Sequence, residues 1–555
     1  MNSRRSFIQK GLLAGAGISL APGASSGQDE RTALPADLPK NGTVTLLQTT
    51  DIHCQIHPHD EMFWENNQPV FRKTGGYAHL ATMIKQIRKE NPHTFVIDTG
   101  DMYQGSELSV KTQGKALVPI LNTINYDLYI PGNWEVVYYK TQMQKLLGAL
   151  HAPKICANMY HDLGNGQKGE LIFQPYHTVY MLGVKIGFLS YTDHLVPRRQ
   201  SPAYSKGILY TRPEENLKHY VEVLREQEQC DFVILLSHLG LSQQIALGNN
   251  PHCEGVDYIF GGDTHERIRK PIQCKYTKVV EPGAFGSFIG RLDLTIKDGK
   301  ITGEKYQLLE VDPEKYTADK EISQLIAANE KPFGNSIYKE IGKSTVPLYR
   351  YFVVENTMDT MIVDALQWKV KTDVVISNGF RFCPPRVPGK DGMVSITEGY
   401  LFDMLPVDSP VRTGEVTGQQ IKDWLERELE NVFAKEASRR FGGWLIRFKG
   451  MTMEFKAFVP LGEKVQKVEI GGKPLDLAKT YTICACEREG DPEDVLCRMQ
   501  GVKNATTQNY TLHQAMKEYL AANSPVTPTL RQAAKIVDGP QTLLSQVWGV
   551  DYEFR

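Results

Sequence analysis

Six stretches in the first half of the chain start apolar and end polar: TVTLLQTTDIH, TFVIDTGD, DLYIPGNWE, VKIGFLSYTDH, DFVILLSHLG and VDYIFGGDTHE. Continuous apolar runs are what strands covered on both faces require, because both sets of alternating side chains meet a packed layer. Amphipathic stretches separate the runs, so the pattern predicts an α/β fold. Its polar residues collect at one edge. Ligands of open α/β sheets gather there, beyond the carboxyl ends of the strands. Further along, VTGQQIKDWLERELENVF has helical period, with Trp424, Leu425 and Leu429 on its apolar side. DPEKYTADKEISQLIAANEKPF is charged and helical in pattern and reads as a connector between domains.

The length of 555 residues exceeds what one core supports, so two large domains are expected. Lys plus Arg number 63 and Asp plus Glu 64, which gives no electrostatic footprint for a nucleic acid or an anionic membrane. Residues 1–30 differ from the rest. MNSRRSFIQK supplies a charged start, GLLAGAGISLA a short apolar core and PGASSG a small-residue exit, together the pattern of an export signal. The pair Arg4 and Arg5 with Phe7 resembles the twin-arginine signature, so a folded, periplasmic or extracytoplasmic protein is expected, with no stable membrane association after signal cleavage. Nine cysteines are too few for a disulfide scaffold. Cys253 and Cys274 are a candidate pair, Cys484 and Cys486 are too close for an easy bridge, and the others read as small buried hydrophobes.

The polar edge carries Asp51 and His53, then Asp98 and Asp101, Asn133, His238, and finally Asp263 and His265. Oxygen and imidazole donors without thiolate suit two divalent ions such as Mn²⁺, Zn²⁺, Fe²⁺ or Mg²⁺ more than a structural zinc. Any one of these residues alone is better read as a cap, a turn or a core histidine. Five strand ends bearing donors in succession point to a dinuclear site. His57 and His59, just beyond, read as an exposed loop, and Arg439 with Arg440 as a solvated face or an anion-binding surface.

The fragments D-x-H, GD-x-x-x-G (Gly100, Asp101, Gly105), GN-x-E (Gly132, Asn133, Glu135), Ser237-His238 and GG-x-x-H (Gly261, Gly262, His265) occur in the order found in metallophosphoesterases. The chain resembles, more narrowly, the exported 5'-nucleotidase group. That resemblance implies a two-sheet sandwich flanked by helices at residues 42–312, a linker helix at 313–345 and a smaller α/β substrate-binding domain at 346–540. It also implies that Asp51, His53 and His265 hold one metal, that Asp101 bridges, and that Asn133 and His238 hold the second. Mn²⁺ is favoured. Two such cations share a hydroxide that attacks the ester in line.

Two positions depart from the family pattern. Where it reads GNHE followed by Asp, a dyad that polarises the ester, this chain has Trp134 and Val137. An indole walls a site or packs against a neighbouring loop, but transfers no proton at neutral pH. Asp263 stands where the family places a His. If it ligates, it hardens the second site toward Mn²⁺, Fe²⁺ or Mg²⁺. The GNW variant resembles the periplasmic thiosulfohydrolases of sulfur-oxidation systems, which release sulfate from a cysteine S-sulfonate on a carrier protein. SNGFRF resembles the family's substrate-facing turn, so Asn378 and Arg381 are candidate substrate-binding residues, with Asn133, Trp134 and Arg381 as candidate catalytic residues. Cys486-Glu487-Arg488-Glu489-Gly490-Asp491 stands where nucleotidases place a base-stacking Phe. Three readings follow: a thiosulfohydrolase-like hydrolase of a phosphate or sulfate ester, a 5'-nucleotidase acting on nucleotides, or a catalytically silent metal-bound binding protein.

Overall fold

Val44 and Leu46 leave the strand Gly42–Thr49 on one face and Leu47 on the other, and each side enters a different buried cluster. Phe95 and Ile97 against Val96, and Leu128 against Tyr129, divide the same way. The continuous apolar runs are thus covered on both faces, as the pattern requires. The computed structural model describes residues 40–544 except 441 and 487, so the export signal expected at 1–30 lies outside the described residues.

Strand Gly42–Thr49 runs parallel to Thr94–Asp98, which runs parallel to Leu128–Tyr129. On its other side it pairs antiparallel with Phe288–Lys297. Lys300–Glu310 completes this five-stranded sheet. In a second, six-stranded sheet, Phe232–His238 lies parallel to both Val184–Thr192 and Tyr258–Gly261. One cluster joins the sheets through Val44, Leu46 and Ile97 with Ile186, Phe188 and Ile234. Helices Tyr77–Glu90 and Leu117–Ile124 cover the outer face of the first sheet through Leu80, Ile84, Ile120 and Leu121. The result is the expected sandwich flanked by helices. All the donor-bearing strands end on the same side.

The connector helix Lys320–Glu330 starts at the Asp319 cap and buries Ile322 and Ile326 in the cluster beneath Leu117, which fastens it to the first sandwich. The following α/β domain has a five-stranded sheet ordered Arg447–Lys449, Val374–Ser377, Thr480–Cys486, Pro410–Thr417, Lys503–Thr511. Helix Gly418–Phe433 opens on a Thr417 and Gln420 capping box and buries Trp424, Leu425 and Leu429. The Trp424 indole N–H donates to the Cys497 carbonyl at 2.9 Å.

Three expectations are corrected. His59 is not on an exposed loop: it begins the hairpin His59–Glu65/Gln68–Thr74, and its Nε2 lies 3.0 Å from Ser287 Oγ. His57 is exposed and pairs with Glu330 at 2.7 Å. Cys253 and Cys274 are free, both acting as small apolar side chains in the intersheet cluster. Arg439 is half exposed and paired with Glu430, but Arg440 is buried and donates to Ser242 Oγ at 2.7 Å across the domain seam.

At that seam the first domain buries an ion pair. Arg267 Nη2 lies 2.5 Å from Glu61 Oε1, and Tyr351 of the second domain donates its hydroxyl to the same carboxylate. Burial alone raises Glu61, but Arg267 and His59 hold its carboxyl down at about 2, below its ordinary 4.5. A depressed folded value means the contribution, about 3 kcal/mol, is complete above the unfolded value and disappears as pH falls from 4.5 toward 2. Glu61→Gln takes the counter-charge away from the buried Arg267, and is expected to cost about 3–5 kcal/mol at pH 7. Urea unfolding at pH 7 and pH 3 checks this: the difference between wild type and variant shrinks at the lower pH.

Candidate dimetal site

Each donor stands where a buried strand gives way to a loop. Asp51 and His53 follow Gly42–Thr49, Asp101 follows Thr94–Asp98, and Asn133 follows Leu128–Tyr129. His238 ends its own strand, while Asp263 and His265 follow Tyr258–Gly261. Asp51, His53, Asp101, Asp263 and His265 all have left-handed φ between 50 and 84°. Such backbone is costly for non-glycine residues and persists where surrounding structure enforces it. Two glycines show how tight the enclosure is. A Cβ on Gly132 would lie 2.2 Å from Asp101 Oδ1, and one on Gly262 would lie 2.3 Å from Thr50 Oγ1 and 3.0 Å from Asp51 Oδ2.

The donors converge in two groups, Asp51 with His53 and His265, and Asp51 with Asp101 and His238. Asp51 Oδ1 is 3.3 Å from His265 Nε2, 3.8 Å from His53 Nε2 and 3.7 Å from His238 Nε2. Asp101 Oδ2 faces His238 Nε2 at 3.2 Å and His53 Nε2 at 3.8 Å, so it reaches both groups. His53 Nδ1 donates to the Gln104 carbonyl (3.1 Å) and His238 Nδ1 to the Thr99 carbonyl (2.6 Å). Each bond orients its ring with Nε2 toward the carboxylates, the outer support usual for a ligating histidine. His53 Nε2 and His265 Nε2 point at each other across 3.2 Å.

Asp51 Oδ1, His238 Nε2 and Asn133 Oδ1 are buried atoms without a hydrogen-bond partner among the described residues. Orphaned buried acceptors are costly unless a cation completes them, so the donor set fits divalent metal. Burial would raise Asp51, but His238, His265 and His53 hold its carboxyl well below the usual range. Burial and His265 push His53 down to about 3 against the pull of Asp51. Burial would lower His238, yet Asp101 and Asp51 raise it well above its ordinary value.

Asp263 has a different set of neighbours. Its carboxylate receives Arg199 through two nitrogens at 3.1 Å each, and Arg381 Nη2 donates to its carbonyl at 2.6 Å and lies 3.4 Å from Oδ2. Asn133 Nδ2 donates to Asp263 Oδ1 at 3.3 Å, which turns Asn133 Oδ1 free. Arg199, absent from the sequence reading, sits in VPRRQ after a strand end and is held by the buried Asp193 at 2.8 Å. Asp193 lies six residues before it in sequence, whereas Asp263, which places it at the site, lies 64 residues after it.

The second domain closes over this site with three consecutive side chains. The Phe380 ring meets Trp134 edge-on at 6.1 Å, Arg381 reaches Asp263, and Phe382 abuts His53 at 4.4 Å. Asn378 is exposed and accepts from the Phe380 amide. Trp134 therefore packs on the other domain, while its backbone N–H donates to Asp101 Oδ1 at 2.7 Å. Glu135 anchors the GD turn by accepting from the amides of Asp101 and Met102, and burial with Asp101 nearby lifts it to about 7. In the Arg488 turn, Arg488 pairs with Asp491 at 2.8 Å and donates to the Arg198 carbonyl. A charged turn occupies that neighbourhood.

A model of calcineurin-like phosphoesterases matches residues 44–267, and one of the 5'-nucleotidase C-terminal domain matches residues 340–487. The chain belongs to the 5'-nucleotidase group of metallophosphoesterases. It is a metal-dependent hydrolase by that membership; the family implies divalent ions, and the two donor groups are candidates to hold them. It is 24% identical over 478 residues to the trifunctional nucleotide phosphoesterase YfkN of Bacillus subtilis, covering 78% of this chain but 30% of that longer relative. It is 22% identical to a 5'-nucleotidase of Vibrio cholerae, over 94% of this chain and 97% of that one. The fold matches that of the sulfate thiohydrolase SoxB of Thermus thermophilus with a TM-score of 0.80 at 22% identity, over 92% and 99% of the two chains. No helix among the described residues is long and apolar enough to cross a membrane.

Proposed function

We propose that this hydrolase is exported by the twin-arginine route and cleaves a small phosphate or sulfate ester or an S-sulfonated carrier protein, with the thiosulfohydrolase-like reaction preferred. Asp51, His53 and His265 would hold one divalent ion and Asp101, Asn133 and His238 the other, with Mn²⁺ favoured by the oxygen-rich set. Bound there, the pair would supply a nucleophile from water at neutral pH and offset charge on the transferred group.

The chain's own residues do the rest. Arg381 Nη1 is buried and unpartnered among the described residues, a donor available to a substrate oxyanion. Trp134 and Phe380 form an aromatic wall that limits water. Position 134 presents an indole and position 137 a buried isopropyl group, so neither can protonate a leaving group. That observation carries the reading.

A leaving group must then depart as an anion. A cysteine thiolate, with a conjugate-acid pKa of about 8.5, does so far more readily than an alkoxide, which resembles hydroxide from water at about 15.7. In S-sulfonate hydrolysis water oxygen bonds to the sulfonate sulfur as the S–S bond breaks with its electron pair going to the thiolate, and the products are thiolate, sulfate and two protons released to solvent. The likeness to a sulfate thiohydrolase agrees with this; the full-length likeness to a 5'-nucleotidase favours the phosphoryl alternative.

Aryl phosphates of graded phenol acidity test the proposal. Rates are expected to fall steeply as the phenol becomes less acidic, with AMP at least about a hundredfold slower than the best aryl ester, the share that general acid catalysis usually supplies. A flat dependence would return a proton donor to the site and favour the nucleotidase.

A further inference from the structure

The position two residues before His265 is filled by a carboxylate whose both oxygens are taken by guanidinium. Asp263 Oδ1 accepts from Arg199 Nη2 and Asn133, and Oδ2 accepts from Arg199 Nη1 and faces Arg381. Asp263 is not in either convergent donor group. Arg199 cannot turn away. Asp193, fully buried, holds its Nη1, and a Cβ on Gly442 of the second domain would lie 2.6 Å from its Nη2. Burial opposes its charge, but Asp263 and Asp193 keep it firmly protonated.

We propose that Asp263 is an arginine anchor and not a metal ligand: fixed by the positioning residue Arg199, it aligns Arg381 of the second domain so that Nη1 faces the substrate oxyanion. The inference rests on the oxyanion role given to Arg381 above. It follows that Asp101, Asn133 and His238 are the donors left on that side. Arg199 and Arg381 are balanced locally by Asp193 and Asp263, so the receptor gains direction without a large net charge. A planar fork shared between two carboxylates fixes orientation in a way a lysine cannot.

The test uses the full chain, titrated with Mn²⁺ and with inorganic sulfate. Asp263→Asn is expected to bind the same two Mn²⁺ per chain as wild type. Arg199→Gln is expected to bind Mn²⁺ normally while weakening the binding of sulfate, followed by direct titration, by about tenfold or more, the scale of losing a charged, aligned contact. Arg199→Lys, which retains the buried charge, keeps the thermal midpoint near wild type and shows the same loss. Loss of one Mn²⁺ in Asp263→Asn would make Asp263 a ligand and overturn the proposal. Unchanged sulfate affinity in Arg199→Lys would overturn the positioning role. Neither readout depends on which ester is turned over, so failure of the substrate assignment is a separate result.

Discussion

Asp101→Asn is expected to strip metal from the site, lowering affinity by more than about a hundredfold, the upper end for losing a mere supporting partner of a ligand. Hydrolysis falls with it. Asp101 Oδ2 faces both His238 and His53, whereas Oδ1 accepts from the Trp134 amide. The isosteric amide can keep the Trp134 bond and fits the space left by Gly132. It cannot keep the negative charge that lets two cations lie side by side without prohibitive repulsion. The fold therefore persists while the site empties. Elemental analysis and circular dichroism on the same sample check both halves, and two ions per chain with normal turnover would contradict the assignment.

The second large effect is a gain. Trp134→His together with Val137→Asp is expected to raise phosphomonoesterase activity by about a hundredfold or more, the usual contribution of a positioned acid or base. Either change alone does little, because an imidazole without an orienting partner is poorly placed and an unpaired carboxylate at the buried position 137 is costly. The first change also removes the aromatic contact with Phe380, so the comparison is made at equal metal occupancy. A double variant with both metals bound and no gain would mean that the indole is there solely to pack.

The sandwich and its donor edge were legible because the same physics wrote both. Strands buried on two faces must be continuously apolar, so the first polar residues after each run fall at the sheet edge, and Asp51, Asp101, Asn133, His238 and His265 could be read from that break. Asp263 shared the edge but not the neighbours, since its partners Arg199 and Arg381 lie 64 and 118 residues away. His59 was misplaced although a local signal existed. Asn66 and Asn67, with left-handed φ of 52 and 61°, form the tight turn of a hairpin that carries His59 into the interior. Arg440 and the SNGFRF contacts were hidden for another reason: burial across a domain seam leaves no periodic trace in either partner. Trp134 was legible as a substitution, and its contact with Phe380 depends on domain placement.

The central claim is a two-metal hydrolase whose site has given up proton donation and so favours an ester that leaves as an anion. Its most direct test is kcat/KM for a peptide cysteine S-sulfonate against AMP, measured with the Mn²⁺-loaded protein at equal occupancy. The account predicts a preference for the S-sulfonate of at least about a hundredfold, the scale of the missing acid; AMP hydrolysed as well or better would contradict it.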